Sequence, residues 1–260
     1  MTPDAAFDPV ASFRLDGRVA VVTGASSGLG ERFARVLDAA GASVVVVARR
    51  ADRLDALAGE LRNALVVEAD LAAPDTATRV VAAVVERFGR LDVLVNNAGT
   101  LDTRPALDEP IADFRRVIEV NLVGTYALTQ EAARTMVAAG GGAIVNIASI
   151  WGLVGVGQIP DAAYAASKHG IVGLTRELGA QWARMGVRVN AIAPGWFVTE
   201  MTTGTMFGDE GAERWMCSRT PMGRGGAEHE LDGALLFLAS DASTFVTGAT
   251  LPVDGGWTSV

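Results

Sequence analysis

Seven short, mostly β-branched apolar runs, at residues 19–22, 44–47, 65–67, 93–95, 143–147, 187–192 and 249–253, constrain the fold of this chain more than any other feature. They lack sustained polar alternation, so they read as strands covered on both faces, which is how a parallel sheet appears in sequence. Between them, residues 31–40, 76–88 and 111–139 have helical period and length. Strand and helix alternating in this way predict a doubly wound α/β fold with a central, mostly parallel, seven-stranded sheet. No Pro/Ser-rich linker or charge run divides the 260 residues. Residues 15–260 therefore read as one domain, preceded by a flexible N-terminal arm at 1–14.

Composition narrows the class of function. The net charge of −8 argues against a polyanion-binding surface, which needs clustered Lys and Arg. The single cysteine, Cys217, excludes an intrachain disulfide and a cysteine-rich metal site. His169 and His229 are far apart in sequence and form no ligand motif, so no metal is expected. Neither a signal-peptide core nor an 18-residue apolar run is present. The expectation is a cytoplasmic chain that binds neither membrane nor nucleic acid.

The first predicted strand runs into Thr23-Gly24-Ala25-Ser26-Ser27-Gly28-Leu29-Gly30 and then a helix. Glycines there let the backbone approach a pyrophosphate, and a helix N-terminus offers free N–H groups and partial positive charge. The spacing is GxxxGxG rather than GxGxxG, and the motif alone is also compatible with an ordinary strand-to-helix loop. At the end of the second strand, where an NAD site usually carries an acid for the ribose 2′-hydroxyl, stands Ala48, followed by Arg49 and Arg50. Two guanidinium groups and no acid point to NADP(H), although the pair could merely begin a solvated helix. Asp70, with Leu71 beside it, follows the third strand and is the expected adenine contact.

Positive charge is carried by 21 arginines and one lysine, Lys168, four positions after Tyr164, one of two tyrosines. On a helix, residues i and i+4 share a face. The surrounding Ala162-Ala163-Tyr164-Ala165-Ala166-Ser167-Lys168 is rich in helix formers, so phenol and ammonium should project together. A nearby cation lowers a phenol pKa that is ordinarily about 10, which would make Tyr164 a usable acid or base near neutral pH. Such a pair in isolation is more often a surface feature; the remaining motifs decide otherwise.

With the glycine turn, Asn96-Asn97-Ala98-Gly99, Asn121, Ser149, and Tyr164 with Lys168 in that order, residues 15–257 resemble the short-chain dehydrogenase/reductase family. Pro194-Gly195 and Val253-Asp254-Gly255-Gly256 also fit. The resemblance implies a Rossmann-type domain and a set of roles. Tyr164 would exchange a proton with the substrate oxygen, Ser149 would hydrogen-bond that oxygen, and Lys168 would lower the Tyr164 pKa and hold the nicotinamide ribose. Asn121 would position a proton-relay water. Asn97, Ala98 and Gly99 would line the cofactor cleft, and Thr199, after Pro194 and Gly195, would meet the nicotinamide carboxamide. A homotetramer and a mobile substrate lid at about 196–224 are also implied. Ser149 and Tyr164 lie 15 positions apart, a longer interval than in many family members, and the added length bears on substrate choice.

The lid contains Trp196, Phe197, Met201, Met206, Trp215 and Met216, and the facing loop Trp151, Val154 and Ile159. Such side chains line apolar pockets, though they also pack against sheets. The resulting expectation is an NADP(H)-dependent oxidoreductase acting on a medium-sized, mostly apolar ketone or secondary alcohol. Alternatives are a polyol or sugar dehydrogenase, a 3-oxoacyl-thioester reductase, and a non-catalytic dinucleotide sensor.

Overall fold

In the computed structural model, which describes residues 8–204 and 206–260, the seven strands form one parallel sheet in the order β3-β2-β1-β4-β5-β6-β7. They are β1 Val19–Thr23, β2 Ser43–Ala48, β3 Ala64–Glu68, β4 Val93–Asn96, β5 Gly142–Ile147, β6 Val187–Pro194 and β7 Thr250–Val253. The apolar runs predict every one of them to within about two residues. Pro252, which has no N–H to give to a ladder, stands in the edge strand β7.

Helices cover both faces. On one side α1 (Gly28–Ala39), α2 (Ala51–Ala58) and α8 (Asp232–Ala239) bury Phe33, Leu37, Leu54, Leu235 and Leu238 against Val22, Val44 and Val46. On the other, α3 (Thr76–Phe88) and α5 (Thr125–Ala138) bury Val80, Val84, Leu128 and Met136 against Val45, Leu94 and Ile144. Full cover on both faces explains why the strands show so little polar alternation.

The expected helix at 111–139 proves to be three segments. α4 (Ile111–Ile118) passes into a π-helical stretch, Glu119–Gly124, before α5 begins. Gly124 marks the reason: a Cβ there would overlap the carbonyl oxygen of Leu71, so this point of the helix touches backbone. Periodicity cannot reveal such a register change, because one wider turn leaves the apolar pattern almost intact.

After β3 the chain crosses to the other side of β1, where β4 pairs, so the strand order reverses between β1 and β4. In sheets of this kind a crevice opens there, beyond the carboxyl ends of the strands. α6 (Ala162–Trp182) packs on β6 beside that crevice, and α7 (Glu210–Arg219) belongs to the segment that follows β6. Of the expected N-terminal arm, residues 1–7 lie outside the described residues. The chain then forms a 3-10 turn at Ala11–Phe13, and Leu15 is already buried.

Candidate active site

A cleft of about 460 Å³ opens at this switch point. Its walls hold Gly24, Ser26, Ser27, Gly28 and Leu29 from the turn after β1, and Arg49, Arg50, Asp70 and Leu71 from the ends of β2 and β3. Asn97, Ala98, Gly99, Ser149, Tyr164, Lys168, Pro194, Gly195 and Thr199 complete them. Of the residues expected from sequence, only Gly30 and Asn121 stand behind the wall, and both support it.

Gly30 lets α1 approach the turn, since a Cβ there would overlap the Gly24 carbonyl oxygen. Gly24 itself has φ +67°, and a Cβ on it would sit 2.8 Å from the Cα of Ala98. Side chains are therefore excluded where backbone must come close. The first N–H groups of α1 are orphan donors at the cleft, because Ser27 at its N-cap makes no side-chain capping bond. Asn97 ties the two strand ends together: its Nδ2 donates to Thr23 O (3.0 Å) and its N–H to Thr23 Oγ1 (3.0 Å).

Asn121 is carried inward by the π-helical stretch and is buried. Its Oδ1 accepts from Thr100 N (2.8 Å), and its Nδ2 donates to Thr100 O (2.8 Å) and Ser167 Oγ (3.1 Å). It thus clamps the loop after β4 to α6. Beneath the site runs a buried ladder that the sequence motifs did not disclose. Asn96 Nδ2 donates to Thr129 Oγ1 and to Asn146 Oδ1, and Asn146 Nδ2 donates to Thr175 Oγ1.

Tyr164 occupies the first turn of α6, its ring edge-on to Trp151 with centroids 6.1 Å apart. Burial pushes its phenol up to about 12, a hydrogen bond with Ser149 pulls the other way, and the Asp161 charge adds to the rise. Lys168 is pushed down to about 8 by burial. Its Nζ donates to Ile147 O (2.6 Å) and stands 5.3 Å from the Tyr164 ring centroid. The expected lowering of the phenol pKa by Lys168 is therefore corrected. Within the protein's own atoms desolvation wins, because the ammonium faces the ring and a carbonyl.

The two arginines after β2 part company. Arg50 turns into the cleft, donating to Ser26 Oγ (3.1 Å), Ser27 Oγ (2.7 Å) and Glu200 Oε2 (3.1 Å). Glu200 also pairs with Arg53, and it is held down to about 2 by Arg53 and then Arg50. Arg49 borders the cleft, is exposed, and has no ion pair among the described residues. Nothing local signals that Glu200 reaches back 150 positions to Arg50.

The apolar residues of the expected lid and of the loop facing it require a second correction. Trp196, Met206, Met216 and Trp257 pack with Ile150 and Val156 into a core of their own, joined by Trp151 and Trp215. Its rings stand edge to face, with centroids 5.0 Å apart for Trp151–Trp196 and 5.5 Å for Trp196–Trp257. From the expected apolar lining only Phe197 and Met201 border the cleft. Edge-to-face packing gives these rings better contacts with one another than an open pocket would.

A family model described as enoyl-(acyl carrier protein) reductase matches residues 24–258. The galactitol 2-dehydrogenase (L-tagatose-forming) of Cereibacter sphaeroides is 43% identical over 248 residues, 95% of this chain and 97% of that one. The cis-4-hydroxycyclohexanecarboxylate dehydrogenase of Sinomonas cyclohexanicum is 44% identical, over 94% of this chain and 97% of that one. A gluconate 5-dehydrogenase from Burkholderia cenocepacia, solved in complex with NADP and tartrate, superposes with a TM-score of 0.93 at 39% identity. That match covers 97% of this chain and 100% of that chain. The chain belongs to the short-chain dehydrogenase/reductase family. As a short-chain dehydrogenase/reductase it is an oxidoreductase acting on CH–OH groups. The cleft fits the dinucleotide such an enzyme uses: glycine backbone and a helix N-terminus lie where a pyrophosphate would rest, with Arg49 at the outer end and Ser149 and Tyr164 at the inner one. Among the described residues no helix is long and apolar enough to cross a membrane.

Proposed function

We propose that this enzyme is an NADP(H)-dependent dehydrogenase/reductase that interconverts a secondary alcohol and its carbonyl, with Tyr164 as the acid and base. The observation that carries the reading is one continuous cleft with exposed Arg49, which has no ion pair among the described residues, beside Ala48 at one end and Ser149, Tyr164 and Lys168 at the other. The bound nicotinamide supplies the hydride chemistry. In oxidation Tyr164 takes the hydroxyl proton, and in reduction it gives a proton to the carbonyl oxygen. Ser149 donates a hydrogen bond to that oxygen and stabilises the charge developing on it. Lys168, a buried cation, holds the ribose. Asn121 keeps Thr100 and α6 in register, and Arg49 offers its guanidinium fork to the 2′-phosphate.

The substrate is a medium-sized secondary alcohol bearing further hydroxyl or carboxylate groups. Because most of the tryptophan and methionine side chains pack on one another, the cleft beyond the turn offers Thr100, Arg116, Ser149, Thr199 and Thr202 alongside the apolar Val120, Phe197 and Met201. Relatives that act on galactitol and on a hydroxycyclohexanecarboxylate support the same class. A panel of polyols, sugar acids, hydroxycyclohexanecarboxylates and plain ketones of matched size, run with each cofactor, tests both parts. The hydroxylated compounds should show the larger kcat/KM; faster turnover of the plain ketones would return the substrate to the apolar class.

The same reading makes the enzyme a cytoplasmic homotetramer. Leu235, Leu238 and Ala239 of α8 belong to the subunit's own core. Leu107, Ile111, Val123, Tyr126 and Phe245 remain exposed and are the apolar side chains an assembly would cover. Light scattering at micromolar concentration should give about four times the 27.0 kDa chain mass, and a monomer would refute the assembly.

A further inference from the structure

Asp161 closes the long loop between Ser149 and Tyr164 and stands at the N-cap of α6. Its Oδ1 accepts the backbone N–H of Tyr164 at 3.0 Å, and the residue is only 7% exposed. A capping hydrogen bond needs only an acceptor, and Asn or Ser supplies one without charge. Here the cap is a buried carboxylate that forms no ion pair among the described residues. The groups facing it are mostly acidic. From the segment between β4 and α4, Asp102 gives it a backbone N–H, while the Asp102 carboxylate is taken by Arg104 and Arg116. Glu109, with one carboxylate oxygen buried and unpartnered, also faces it. From α6 it meets Tyr164, and Lys168 one turn on directs its ammonium to Ile147 instead.

We propose that Asp161 is a positioning residue for Tyr164: it holds the backbone of the reacting residue and, as a buried anion, acts on the proton that Tyr164 exchanges. This rests on the assignment of Tyr164 as acid and base. The Asp161 charge opposes a second negative charge on the phenol, so it keeps Tyr164 protonated and favours its role as proton donor to a carbonyl. Burial pushes Asp161 itself up to about 6, above its ordinary 3.8. Between those values the folded state holds a proton that the unfolded state has lost. The associated stability is present at low pH and is lost as pH rises through about 6. Above that pH the charge is a burden on the fold that a neutral cap would avoid.

The experiment compares wild type with Asp161→Asn and Asp161→Ala. The Asn variant keeps the cap and removes the charge; the Ala variant removes both. Measured are the pH profile of kcat for carbonyl reduction, the cofactor Kd, and Tm at pH 7.5. Asp161→Asn should fold with a Tm equal to wild type or up to about 2–4 °C higher. Its alkaline limb, where Tyr164 loses its proton, should move to lower pH by roughly half a unit. Asp161→Ala should lose roughly tenfold in kcat with little change in cofactor Kd, because Tyr164 is no longer held. A profile for Asp161→Asn that superposes on wild type, or an Ala variant indistinguishable from the Asn variant, overturns the proposal. Tyr164→Phe with the alkaline limb intact would instead overturn the assignment of Tyr164, so the two failures are told apart.

Discussion

Tyr164→Phe leaves a folded protein that binds NADPH and has almost no turnover. Only the phenol oxygen is deleted, and the ring keeps its edge-on contact with Trp151, so Tm and cofactor Kd should stay near wild type. What disappears is the hydroxyl beside Ser149 that would pass a proton to and from the substrate oxygen. Positioned acid–base catalysis is worth about 10²–10⁴-fold, and kcat should fall by at least that much. Lys168→Arg should lose roughly tenfold or more by a different route. The ammonium is buried, with Ile147 O at 2.6 Å and the Tyr164 ring on its other side, and a planar guanidinium cannot replace a compact point charge there. Stopped-flow and steady-state rates with titrated cofactor binding separate these effects. A Tyr164→Phe variant retaining a tenth of wild-type kcat would remove Tyr164 from the chemistry.

Arg49→Ala should erase most of the preference for NADPH. Its guanidinium is exposed at the mouth of the cleft with no ion-pair partner among the described residues, whereas Arg50 is already bound to Ser26, Ser27 and Glu200. A charge-assisted phosphate contact contributes about 1.5–3 kcal/mol, so kcat/KM for NADPH should drop roughly ten- to a hundredfold while that for NADH barely moves. Arg50→Ala should differ in kind. It removes a link between the glycine turn and Glu200 on the segment after β6, and it should weaken both cofactors alike. Equal losses for NADPH and NADH in Arg49→Ala would show that the phosphate is read elsewhere, and a wild type preferring NADH would end the assignment.

Much of the site was legible from the chain because its logic is local. A glycine-rich turn between a buried strand and a helix, and a Tyr and Lys four apart on a helix, need only backbone geometry to come together. The placing of Asp161 at the N-cap of α6, buried beside Asp102 and Glu109, was not legible in that way.

Sequence alone therefore determined the parallel sheet, the cofactor-binding turn and the pairing of Tyr164 with Lys168, all of which follow from periodicity and short spacings. Tertiary structure decided what those groups meet. It set Lys168 against Ile147 O and the Tyr164 ring rather than the phenol oxygen, drew Arg50 away to Glu200, and folded the tryptophans into a core instead of a pocket wall. Each outcome turns on which distant side chain or backbone oxygen lies within a few ångströms, and on whether water is excluded there. Packing settles both, and neither is encoded in the spacing of residues along the chain.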